Sequence, residues 1–135
     1  MQHDEFVGQV QARARLSSRG AAETAIRASL ETLAERIQAP LAENLAAQLP
    51  REIGENLRRV AKAPGSPDTG VRMSRQEFFD RVADRAGAHG PKAMHEARCV
   101  IEVVGEATEG HVLDHVRQSL DEELARILFA GSEGH

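Results

Sequence analysis

Apolar residues recur along this chain at helical spacing, and strand-like alternation is absent. Phe6 and Val10 open an i, i+4 stripe, and Ile26, Leu30, Leu33 and Ile37 follow at i, i+4, i+7 and i+11. That is the period of a helix burying one face. The same pattern returns further on. "DEFVGQV" (4–10) lies on "QEFFDRV" (76–82) at an offset of 72, pairing Phe6 with Phe78 and Val10 with Val82. After the first loop the offset becomes 71, so "AIRASLETLAE" (25–35) lies on "EARCVIEVVGE" (96–106) and "LAAQLPREI" (45–53) on "VRQSLDEEL" (116–124). One single-residue gap serves the whole alignment, which duplication explains most economically.

Punctuation divides each copy into about four helices. Ser74 and Glu77 have capping-box spacing, and Pro91 after Gly90 suits the first turn of a helix. The breaks at 15–20 and 85–91 fall at equivalent places. Pro50 lacks an N–H and would clash inside a helix, so the helix through Leu45 is expected to end near Gln48 and another to begin with Pro50 in its first turn. The second copy has no proline there, yet a break is expected in it too, with Ser119 and Glu122 as its capping box.

The expected architecture is all-α: a pseudo-twofold helical bundle of two tandem repeats of about four helices each. The expected layout is one domain, 1–135, with repeat one at 1–60, an exposed linker at 61–73, repeat two at 74–130 and a disordered tail at 131–135. Each repeat alone is small for a stable core, so the two are expected to pack together.

Composition adds a restriction. The chain has 135 residues, 41% of them apolar, with four Phe and no Trp or Tyr; this suits close helix packing and leaves little for stacking on nucleobases. Residues 1–66 carry a net charge of +1 and residues 67–135 one of −5, an acidic balance that weighs against nucleic acid. The one basic cluster, Arg58, Arg59 and Lys62, reads first as cations at a helix C-terminus. No run approaches the ~20 apolar residues of a membrane span, and the first residues lack signal-peptide character. With a single cysteine, Cys99, no internal disulfide can form, and a cytoplasmic location is expected.

These phrases, "LAAQLPREI" above all, resemble a bacterial domain of unknown function, family 2267, over nearly the whole chain. The resemblance implies an all-helical fold, in some members joined to other modules, and implies no activity. The second copy departs from the family in having "QSLDEE" where a proline usually stands.

Candidate chemistry is sparse. His111, Asp114 and His115 in "HVLDH" place two histidines four apart, a spacing that puts both on one helical face for a metal, in an order resembling that of some zinc peptidases. The plainer reading is a solvated face. Glu31 and Glu35 are echoed by Glu102 and Glu106, each pair preceded by an arginine (Arg27, Arg98), which reads as salt bridges within or between helices. Cys99 is a nucleophile only if His95 activates it, and a buried thiol at a tight crossing is the simpler account. No glycine-rich phosphate loop, G-x-S-x-G or C-x-x-C stands in the chain, and no cofactor is expected. The reading that follows is a non-enzymatic module that binds another protein or its own copy, with Leu124, Ile127, Leu128 and Phe129 as the candidate contact surface. A metal-dependent hydrolase built on "HVLDH" and a weak nucleic-acid binder are the alternatives.

Overall fold

The computed structural model describes residues 1–62 and 70–130. The tail expected at 131–135 and most of the expected linker, 63–69, lie outside the described residues. Among those described there are eight α-helices and no strand, so the all-α expectation holds. They are α1 (His3–Ala14), α2 (Arg19–Arg36), α3 (Ala39–Gln48), α4 (Arg51–Ala61), α5 (Arg75–Ala86), α6 (Gly90–Ala107), α7 (Val112–Ser119) and α8 (Glu122–Leu128). No helix is long and apolar enough to cross a membrane, among the described residues.

The long helices α2 and α6 form the centre. Helix α2 packs on α1, α4, α5 and α6, and α6 packs on α1, α2, α5 and α8. The reason is visible in their faces: the stripe Ile26, Leu30, Leu33 and Ile37 and its echo Ile101 and Val104 are buried, and Ala22, Ala28, Ala93 and Ala97 let backbones approach. Phe6 and Phe78, aligned at offset 72, are both buried. One hydrophobic cluster draws residues from all eight helices.

The helix ends follow local chemistry. Ser74 accepts a hydrogen bond from the Glu77 N–H, and the Glu77 carboxylate accepts from the Ser74 N–H, completing the capping box. Helix α3 stops at Gln48, as expected, and Pro50 takes the N-cap of α4 rather than its first turn. The second half breaks at the equivalent point with almost the same backbone. Leu49 and Pro50 have φ/ψ of −95°/159° and −51°/143°, and Leu120 and Asp121 have −94°/155° and −57°/146°. Asp121 thus holds angles a proline would accept. The expected capping box there is not formed, because the N-cap is Asp121, and the Ser119 hydroxyl instead donates to the His115 carbonyl.

The ends of the expected linker stretch, 61–73, are seen at 61–62 and 70–73. Helix α4 includes Ala61, and Met73 is buried. The Gly70 and Val71 N–H groups donate to the Ile37 and Glu35 carbonyls (2.8 and 2.9 Å), satisfying acceptors at the end of α2. Gly70 has φ +70°, a left-handed backbone conformation that favours glycine.

One buried group runs against the core. Glu96 on α6 is 5% exposed, and its Oε2 has no hydrogen-bond partner among the described residues. Burial pushes its carboxyl above the usual value, with Lys92 and His95 only partly offsetting this. The charged form is therefore disfavoured in the fold; the penalty is absent below the ordinary value of 4.5 and grows as pH rises toward the raised one. Glu96→Gln is expected to gain about 1 kcal/mol at pH 7 and nothing at pH 4, read by urea unfolding at the two pH values. An equal effect at both would contradict this account.

Candidate functional site

The repeated carboxylates do not pair with the arginines that precede them in sequence. Arg85 on α5 donates to Glu35 Oε1 (2.6 Å) and Thr32 Oγ1 (2.7 Å) of α2, and its Nε lies 3.4 Å from Glu31 Oε1. Arg59 on α4 holds the other Glu31 oxygen at 2.6 Å, and Arg81 lies 3.4 Å from Glu35. In the other direction, Arg13 on α1 reaches Glu102 (3.4 Å) and Glu106 of α6. Arg13 and Arg85 are 72 residues apart, so equivalent arginines each clamp the glutamate pair of the opposite half. Burial pushes Glu35 up, but the hydrogen bond and charge of Arg85, with those of Arg81, outweigh it and hold the carboxyl below its usual value. These groups are ion-paired across helices. Of the two arrangements the sequence left open, within or between helices, the second is formed, and Arg27 and Arg98 are not the partners.

The "HVLDH" residues lie on the surface at the start of α7. His111 Nδ1 lies 3.3 Å from Asp114 Oδ2, and both side chains are largely in solvent, as is His115. His111 caps α7 from outside with φ/ψ −107°/8°, off the helical angles on which the i, i+4 pairing depended. Among the described residues no three His, Cys, Asp or Glu side chains are placed to share a metal.

His95 Nε2 does approach Cys99 Sγ, at 3.8 Å. The thiol is 4% exposed, and burial followed by the Glu102 charge pushes its pKa up, away from the thiolate that nucleophilic chemistry needs. The basic cluster is occupied as well: Arg58 lies 3.7 Å from Glu43, Lys62 3.6 Å from Glu43, and Arg59 is committed to Glu31. The candidate contact surface is turned inward. Leu124, Leu128 and Phe129 are buried in the core and Ile127 is partly buried; the only large apolar side chain that is exposed, among the described residues, is Met1.

Two of the concave features among the described residues stand out. Helices α3 and α4 pack closely, with Gly54 against the Ala46 backbone, whereas α7 and α8 do not pack along one another. The residues equivalent to Ala46 and Gly54 are Arg117 and Ala125, and the Arg117 guanidinium stands 5.6 Å from the centre of the Phe129 ring. Beside α7 and α8 lies a groove of about 680 Å³, lined by Asp114, Arg117, Gln118, Leu120, Glu122, Ala125 and Arg126. The second feature is a cleft of about 320 Å³ between the start of α1, the first half of α2 and the start of α4. Sequence reasoning missed both. Their signal was the set of positions at which the two halves differ.

Residues 3–127 match the family described as "Uncharacterized conserved protein (DUF2267)". No curated protein matches the chain.

Proposed function

We propose that this chain, which belongs to the DUF2267 family, is a duplicated, non-enzymatic helical module of the cytoplasm that binds another protein or its own copy in the groove between α7 and α8. The observation that carries this is the open groove, where the corresponding helices of the first half, α3 and α4, are closed on each other. A duplicated hairpin kept open in one copy leaves a surface for another chain to fill. The reciprocal Arg13 and Arg85 clamps support the duplication.

The groove is polar. Asp114 and Glu122 stand with Arg117 and Arg126 over Leu120 and Ala125, and mixed charge of this kind confers specificity and register on an interface more than raw affinity. Light scattering and affinity capture with the full chain test the reading. Wild-type protein is expected to self-associate or to retain a partner that the double variant Glu122→Lys, Arg126→Glu loses while melting at the same temperature. A monomer whose captured proteins are the same for wild type and variant would refute it.

A further inference from the structure

The two halves share a joint, but only one of them has the residue that enforces it. Leu49 and Pro50 in the first half and Leu120 and Asp121 in the second have nearly the same backbone angles. Pro50 cannot lie inside a helix, because it lacks an N–H and its ring would clash with the carbonyl one turn before, and it also keeps Leu49 out of the α region. Asp121 imposes neither restriction. Residues 112–128 contain no Pro and no Gly, and most are Leu, Glu, Arg, Gln or Ala, which favour helix. The stretch bent here into α7 and α8 can therefore also run as one helix from Val112 to Leu128.

Little at the joint itself holds the bend. Asp121 makes no capping hydrogen bond to α8, and the Ser119 hydroxyl already donates to the His115 carbonyl as a residue inside a helix does, so straightening forfeits no cap. Two ion pairs fasten the joint from outside, Arg36 with Asp121 (3.5 Å) and Arg75 with Glu123 (3.0 Å). Both carboxylates are more than half exposed, and water screens them.

What keeps α8 in place is its apolar face. Leu124, Leu128 and Phe129 are buried in the core, where α8 packs on α6. A straightened chain would carry these side chains into water, at a cost the joint cannot offset. One other seat fits them: the place on α6 of a second copy that has released its own α8.

We propose that the α7–α8 joint is a hinge through which two copies of this chain exchange α8. In the exchanged dimer every buried contact of α8 is remade with the second copy, so the balance is set by the joint and by the freedom lost on association. A tethered α8 competes for its own seat at an effective concentration in the millimolar range, which confines exchange to concentrated chain. The first half, with Pro50 at its joint, cannot take part.

Sizing of the full chain with light scattering tests this. Wild type is expected to form dimers at chain concentrations on the order of millimolar. Asp121→Pro, which installs the first-half residue at angles it accepts, is expected to weaken dimerisation on the order of a hundredfold with the helical spectrum unchanged. Asp121→Ala is expected to strengthen it about threefold, since alanine favours the continuous helix. Both variants lose the Arg36 contact, so their opposite effects isolate the backbone. In dimers mixed from two isotope labels, nuclear Overhauser contacts are expected between Leu124 and Leu128 of one copy and α6 of the other. A wild type that stays monomeric at these concentrations, an Asp121→Pro variant that dimerises as wild type does, or contacts confined within each copy would overturn the proposal. The exchange does not rest on the groove: Glu122 and Arg126 are exposed, and Glu122→Lys, Arg126→Glu is expected to leave the exchanged dimer intact, so the two readings fail separately.

Discussion

Replacing Gly54 by valine is expected to cost about 3 kcal/mol of folding stability, the upper part of the range for overpacked sites. A Cβ at position 54 would lie 2.7 Å from the Ala46 carbonyl oxygen and 3.3 Å from the Ala46 carbonyl carbon and Cα. These are backbone atoms of α3, so no rotamer change relieves the clash, and α3 and α4 must separate. Alanine makes the sharper test. On helix propensity alone Gly→Ala gains about 1 kcal/mol, whereas here Gly54→Ala is expected to lose about 1 to 2 kcal/mol, because the close approach outweighs the propensity. Gly8, exposed on α1 with nothing within 4 Å of its would-be Cβ, is the control, and Gly8→Ala is expected to follow propensity and stabilise by about 0.5 to 1 kcal/mol. Denaturant unfolding of the three variants decides the matter. A stabilising Gly54→Ala would mean that α3 and α4 are not locked by backbone contact.

Arg85→Met is expected to cost about 2 kcal/mol at pH 7. Hydrogen bonds to charged partners are worth roughly 1.5 to 3 kcal/mol, and Glu31 and Glu35 are only 16% and 15% exposed. Arg59 and Arg81 stay behind as partial partners, which keeps the loss below that of a fully stranded buried charge. The cost depends on pH with a definite sign. Glu35 has a lowered pKa in the fold, so its stabilising contribution is present above the ordinary value of 4.5 and disappears as pH falls through the lowered one. The difference between wild type and Arg85→Met is therefore expected to shrink markedly between pH 7 and pH 3. An unchanged difference would show that Arg85 acts by packing its aliphatic stem. Arg13→Met, at the equivalent position, is expected to cost less, about 0.5 to 1 kcal/mol, because its partners Glu102 and Glu106 are 28% and 53% exposed and water screens them better.

How much of this could be read before folding differs between backbone and site. The stripes Phe6/Val10 and Ile26/Leu30/Leu33/Ile37 located buried faces, since a helix with one apolar stripe has one way to hide it. Pro50 located a joint, and Leu120 and Asp121 adopt nearly the same backbone angles without a proline. Pairwise geometry across helices was not accessible. Spacing left salt bridges within or between helices open for Glu31 and Glu102, and the arginines that reach these carboxylates come from α5, α4 and α1, 28 to 89 residues away. Likewise Leu124, Leu128 and Phe129 read as a sticky face, and only the packing of α8 onto α6 turns them inward.

The sequence by itself determined the all-helical class and the helix breaks, because periodicity, capping and proline chemistry act within a few residues of their cause. Tertiary structure alone decided which charges pair, which apolar faces are covered and where concavities remain. Those outcomes depend on side chains brought together from distant parts of the chain. Gly54 meets the backbone of Ala46 from the neighbouring helix, and Arg59 and Arg85 reach Glu31 from two other helices.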